Sequence, residues 1–110
     1  MESKDLSIII TTFKSESKIH GCLNSIPKEV KIFVVENSNN EQFKREIESK
    51  YSNVNCLLTG RNTGYAFANN LGLSRVKSKY ALVLNPDTIV QNNTIDNFLA
   101  SAKKNPNFWL

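Results

Sequence analysis

Tyr80-Ala81-Leu82-Val83-Leu84-Asn85-Pro86-Asp87-Thr88 decides the fold of this chain. Five apolar or aromatic residues run without a charge and then stop at Asn-Pro-Asp. A short continuous apolar run of this kind predicts a strand buried on both faces. Pro86 has no amide hydrogen and cannot continue a central ladder, so the strand ends there. Asp87 is thereby delivered to the carboxyl end of a strand, where open α/β sheets bind their ligands. A lone carboxylate beside the Asn85 amide suits one hard cation held jointly with a phosphate-bearing ligand.

The rest of the chain alternates strand and helix patterns around this element. Leu6 to Thr12 reads as a first strand, followed by a helix with Ser15 as N-cap and Ile19, Cys22, Leu23 and Ile26 at helical spacing. Lys31 to Glu36 reads as a second strand. Phe43, Ile47 and Tyr51 mark one face of a helix across Glu41 to Tyr51. Val54 to Leu58 is a third strand, and Gly64 to Ser74 a third helix. Ile95, Phe98, Leu99 and Ala102 stripe a fourth helix, capped by Asn93 or Thr94.

This order predicts an α/β fold with a mainly parallel sheet and right-handed crossovers. A Rossmann-like nucleotide-binding half would set four strands in the order 3-2-1-4, with a crevice above strands 1 and 4. Asn107-Phe108-Trp109-Leu110 reads as the opening of another strand, and the chain as a fragment of a longer protein.

At 110 residues, 40% of them hydrophobic, the sequence suffices for one domain with a modest core. No apolar run approaches the length of a membrane span. Met1-Glu2-Ser3-Lys4-Asp5 is polar and mixed in charge, unlike a signal peptide. Cys22 and Cys56 lie far apart with no C-x-x-C, which reads as two buried, reduced thiols. The expected location is the cytoplasm, including the inner face of the membrane.

Net charge is +4 and unevenly spread. Residues 1–55 balance, whereas Arg61, Arg75, Lys77, Lys79, Lys103 and Lys104 in the second half face only Asp87 and Asp96. These cations are dispersed instead of being clustered with aromatics, which argues against nucleic acid as a partner. Arg61 alone lies close enough to the motifs below to meet a phosphate.

Four loops leave the carboxyl ends of the four strands, and this arrangement gathers Thr12, Glu36 and Asp87. Glu36 ends an apolar strand, where a carboxylate can accept a hydrogen bond from a base N–H. The segment from Arg61 to Gly72 is unusual for a helix: small residues and the pair Asn69-Asn70 replace surface charges. Such residues permit close approach to a sheet or ligand, although Gly72 costs about 1 kcal/mol relative to Ala. Other catalytic templates are missing. There is one histidine, His20, and neither a zinc motif, a nucleophile triad, a G-x-G-x-x-G nor a Walker-type loop.

Ser7-Ile8-Ile9-Ile10-Thr11-Thr12-Phe13, Val34-Val35-Glu36-Asn37-Ser38, Asn62-Thr63-Gly64-Tyr65-Ala66-Phe67-Ala68-Asn69-Asn70-Leu71-Gly72 and Leu84-Asn85-Pro86-Asp87 occur in this order. Together they resemble the family 2 inverting glycosyltransferases of the GT-A fold, especially the rhamnosyltransferase-like branch. The resemblance covers nearly the whole chain. It implies that Thr12 and Phe13 line the pocket for base and ribose. Glu36 stands where the family usually has Asp against the pyrimidine base. Asn62, Gly64 and Asn70 match the stretch beside the nucleotide. Asn85 is directed to ribose or phosphate, and Asp87 to Mg²⁺ or Mn²⁺. The chain departs from the family at Thr11, where Pro is common, and at Lys14, where Asn is common.

By this resemblance residues 1–110 are the nucleotide-sugar-binding, N-terminal part of a GT-A domain, cut before the acceptor-binding half. The complete enzyme would transfer sugar from a UDP- or dTDP-sugar to a glycan or lipid-linked acceptor, with inversion. No acid follows Asp96, so the catalytic base is expected outside this chain and the chain alone is expected to be inactive. The alternative is a non-catalytic nucleotide-binding or interaction module. A sugar nucleotidyltransferase is disfavoured, because Thr11-Thr12-Phe13-Lys14 has no glycine. An exposed edge strand would also allow two copies to pair.

Overall fold

A computed structural model describes residues 5–104. Strands β1 (Leu6–Thr12), β2 (Lys31–Glu36), β3 (Val54–Leu58) and β4 (Tyr80–Leu84) alternate with helices α1 (Ile19–Ser25), α2 (Glu41–Lys50), α3 (Tyr65–Ser74) and α4 (Thr94–Lys104). All strand pairs are parallel, in the order β3-β2-β1-β4, as the alternating pattern predicts. The expected strand at Asn107 to Leu110 lies outside the described residues.

Side-chain alternation divides the sheet into two faces. Ile8, Ile10, Ile32, Val34, Val54, Cys56 and Leu82 point to one face, where they meet α1, α2 and α4 through Ile19, Leu23, Phe43, Ile47, Ile95 and Leu99. Ile9, Phe33 and Val35 point to the other and meet α3 at Ala68. Thr11 and Thr12, successive in β1, therefore serve opposite faces of the same rim.

Two sequence expectations change. β4 is not buried on both faces: only Leu82 is buried, and Val83 is 37% exposed. The strand lies at an edge of the described sheet while α3 packs over β1 and β2, which leaves its second face partly open at Val83. The first helix begins at Ile19, and Ser15 does not cap it. The Ser15 carbonyl accepts from the amides of Lys18 and Ile19, and its hydroxyl turns back to the Phe13 carbonyl at 3.2 Å. Ser15 opens a turn that precedes the helix. The second helix does have a side-chain cap, from Asn40, whose Oδ1 accepts from the Phe43 amide at 3.1 Å.

The opposite edge, β3, is protected. The Cys56 amide donates to Glu48 at 2.8 Å, and its carbonyl accepts from Lys44 at 2.6 Å. This i,i+4 pair on α2 occupies groups that an added strand would use. Cys22 and Cys56 are both buried and free. Burial pushes the Cys22 thiol up to about 11 and the Cys56 thiol up to about 12, so both stay neutral and inert at neutral pH.

Gly72 explains the small residues of α3. A Cβ there would stand 2.7 Å from Ile9 Cγ2 and 3.0 Å from Val35 Cγ2. The glycine lets the helix backbone approach β1 and β2. Gly72→Val is expected to destabilise the domain by about 2–3 kcal/mol, read as a lowered urea midpoint, because overpacking outweighs the gain in helix propensity. An unchanged midpoint would show that the contact relaxes freely.

Candidate functional site

The site is built where β1 and β2 end level with each other, Thr12 beside Glu36. Both side chains point to the α1/α2 face and both are 1% exposed. Thr12 Oγ1 donates to Glu36 Oε1 at 2.7 Å, and Ser38 Oγ donates to the other carboxylate oxygen. A buried carboxylate needs such donors, since an unpaired one would cost several kcal/mol. Each oxygen already has one partner and keeps a second acceptor position.

The next residue, Asn37, ties a third strand into the rim. Its amide donates to the Thr12 carbonyl at 2.8 Å. Its side chain is buried and reaches the loop between β3 and α3. Oδ1 accepts from the Thr63 amide at 2.9 Å and from Thr63 Oγ1 at 2.8 Å. Thr59 Oγ1 lies 2.9 Å away and shares its single proton with the Arg61 carbonyl. Nδ2 donates to Asn62 Oδ1 at 3.0 Å and to the Gly64 carbonyl at 3.3 Å. Gly64 sits at φ 89°, ψ 158°, a conformation open essentially only to glycine, and so turns the loop into α3.

The α3 side of the rim is set by helix phase. Thr11 Oγ1 donates to Asn69 Oδ1 at 2.6 Å. Asn69 shares a face with Tyr65 and Gly72, whereas Asn70 is turned away from the sheet and exposed. Of the two amides it is therefore Asn69 that joins the rim. Tyr65 Oη makes a long hydrogen bond, 3.5 Å, to Asn85 Oδ1. That contact links the start of α3 to the loop after β4.

Leu84 is level with Ile10, so the Asn85-Pro86-Asp87 turn leaves the sheet near the height of Thr11 and Thr12. β2 and β4 flank β1 on either side, which separates their backbones by about 10 Å. Asp87 is exposed and has no hydrogen bond or ion pair among the described residues. Burial raises the Cys22 thiol on α1, and the negative charge of Asp87 adds to that rise. Phe13, 43% exposed, stands beside Thr12 with the Lys14 ammonium 5.3 Å from its ring centre. Lys14 itself takes φ 56°, a left-handed conformation to which Asn is better suited than Lys.

The rim thus combines an exposed aromatic ring, a shielded carboxylate, several amides and hydroxyls, and one free carboxylate. Such groups can hold a base and ribose at one end and a diphosphate with its counter-ion at the other. Among the described residues no cluster of three or more His, Cys, Asp or Glu could cage a metal alone. Asp87 with Asn85 fits a hard cation that takes its other ligands from phosphate and water. His20 takes no part; its Nδ1 lies 2.8 Å from Tyr51 Oη between α1 and α2.

The family model described as Glycosyl transferase family 2 matches residues 7–109. The chain belongs to this family. This family 2 chain is 32% identical over 95 residues to the low-salt glycan biosynthesis hexosyltransferase Agl10 of Haloferax volcanii, covering 83% of this chain and 30% of that protein. It is 28% identical over 102 residues to the teichoic acid poly(glycerol phosphate) polymerase of Staphylococcus epidermidis, covering 86% of this chain and 14% of the polymerase. The chain therefore spans less than a third of each relative. Among solved structures, S. aureus TarS 1-349, also seen in complex with UDP, shares the fold with a TM-score of 0.76 at 24% identity. That match covers 91% of this chain and 32% of TarS 1-349.

Sequence reasoning did not single out Asn37, Ser38 and Tyr65 as site residues, and of the pair Asn69-Asn70 it chose Asn70. For Asn69 a signal existed: helical spacing from Tyr65 and Gly72 puts it, and not Asn70, against the sheet. Asn37 follows the end of a strand, where asparagine commonly forms turns, and nothing local distinguishes a turn asparagine from a buried hub.

Proposed function

We propose that residues 1–110 form the donor-binding part of a family 2 glycosyltransferase that takes a hexosyl group from a UDP- or dTDP-sugar. The acceptor, a glycan or lipid-linked saccharide, would bind residues beyond this chain, and transfer would invert the anomeric centre. One observation carries the reading: Asn37 and Glu36 bind the ends of β1, β2 and the β3–α3 loop into one rim beside the Asp87 turn.

In this reading Phe13 offers a face to the base and Thr12 lines the ribose pocket. Glu36 accepts from the base N–H, with Ser38 turning to make room. Asn62 and Gly64, in the loop before α3, flank the nucleotide, whereas Asn70 stands on α3 turned away from the sheet. Asn85 hydrogen-bonds ribose or phosphate. Asp87 would hold Mg²⁺ or Mn²⁺, which, when bound, offsets charge on the departing diphosphate. The acceptor hydroxyl attacks the anomeric carbon as the bond to the diphosphate oxygen breaks, and its proton passes to a base. The only described acid after Asp87 is Asp96, exposed in the first turn of α4. We assign the base to residues outside 5–104, and the purified chain is expected to transfer no sugar. Turnover by it would overturn that assignment.

Calorimetry with UDP, with and without Mn²⁺, tests the site. Metal-dependent binding is expected, weakened at least tenfold by Asp87→Ala while the thermal midpoint stays unchanged. No UDP binding under either condition would favour a non-catalytic interaction module. The β4 edge, which has no second strand partner among the described residues, against the sealed β3 edge, also supports pairing between two copies through β4; a purely monomeric sedimentation profile at high concentration would overturn that. We place the protein in the cytoplasm or at the inner face of the membrane, although no described helix is long and apolar enough to cross one. Fractionation of cells expressing the tagged protein tests this placement.

A further inference from the structure

One sizeable cavity lies away from the rim. It opens on the α3 face near the amino ends of β1, β2 and β3, with a volume of about 660 Å³. That is within the roughly 300–1,000 Å³ of small-molecule sites. Its origin is geometric. α3 is the only described helix on this face, and it ends soon after Gly72 seats on Ile9 and Val35. The chain then turns through residues 75–79 into β4 and leaves the lower parts of β2 and β3 open.

Phe33 and Leu57 form an apolar floor, and Lys31, Arg75 and Lys77 surround it. Glu29 is the one carboxylate in the lining. The Lys31 ammonium is laid down on the floor, 3.0 Å from Asn55 Oδ1 and 5.6 Å from the Phe33 ring centre. Arg75 and Lys77 have no ion pair among the described residues. The wall beside them is anchored, since Ser78 Oγ lies 2.8 Å from Ser7 Oγ and 2.8 Å from the Tyr80 carbonyl. Ser7 and Thr12 are five residues apart on β1, which places this groove about 17 Å from the donor rim.

We infer that this groove is a second binding site, for a phosphate-bearing small molecule with a flat or apolar body. The phosphate meets Arg75, Lys77 and Lys31, and the body lies on Phe33 and Leu57. Arg supplies planar paired donors to phosphate oxygens, and Lys supplies point charge. The apolar floor distinguishes such a ligand from a bare anion. Part of the basic excess of the second half of the chain thereby acquires a role.

Amide NMR titrations of the whole chain with inorganic phosphate and with phenyl phosphate test the site. Phenyl phosphate is expected to shift the Ser7, Asn55 and Ser78 amides saturably and to bind at least threefold tighter than inorganic phosphate. The double variant Arg75→Gln, Lys77→Gln should weaken it at least tenfold and leave the Asn37 and Thr63 amides where they are in the parent. Unchanged binding by the double variant would overturn the site, as would shifts confined to the Asn37–Thr63 region. Equal affinity for the two probes would overturn the role of the floor. A retained spectrum away from residues 75–78 separates loss of binding from loss of fold.

Discussion

Asn37→Ala is expected to lower stability by about 3 kcal/mol and to release the loop between β3 and α3. The side chain holds partners 22 to 27 residues away in sequence: Thr59, Asn62, Thr63 and Gly64. Each net hydrogen bond contributes about 0.5–1.5 kcal/mol, and buried groups left unpaired cost more. Water can reach part of the exposed loop, which keeps the total near 3. Urea denaturation measures the loss, and hydrogen exchange at the Thr63 amide localises it. Asn37→Asp separates the two halves of the network, because it keeps the acceptor for Thr63 but loses the donors to Asn62 and Gly64. An intermediate loss of stability is expected. If the alanine variant unfolds within about 0.5 kcal/mol of the parent, Asn37 does not organise the rim.

Glu36→Ala should cost about 2–4 kcal/mol, whereas Glu36→Gln should stay within about 1 kcal/mol of the parent. Truncation leaves the buried Thr12 hydroxyl without its acceptor and opens a void at the end of β2. Glutamine keeps the shape. Both facing hydroxyls can rotate, so one donates to the amide oxygen and the other accepts from the amide nitrogen. What glutamine removes is charge-assisted acceptance. In the proposed donor site this weakens UDP about tenfold with little change in stability. A glutamine variant that binds UDP as the parent does would confine Glu36 to orienting Thr12 and Ser38.

Much of the architecture was legible before any coordinates. Pro86 ended β4, the apolar runs named all four strands, and their alternation with helical stripes implied the 3-2-1-4 parallel order. What misled was burial. Tyr80 to Leu84 is as apolar as a central strand, yet it forms an edge, because hydrophobic content records a strand's potential neighbours and not which are present. Ser15 misled for a related reason: a serine before an apolar stripe can cap a helix or open a turn, and its hydroxyl went to Phe13.

The linear order of residues determined, by itself, which segments become strands and helices and hence that four loops share one end of the sheet. Local periodicity suffices for that, since it requires only contacts within a few residues. Only the tertiary structure decided that Asn37 is a hub, that Asn69 and not Asn70 faces β1, and that an open basic groove lies at the far end. Those outcomes depend on strand register and on how closely α3 seats over Gly72. Both are settled when residues distant in the chain are pressed together, so no local pattern carries them.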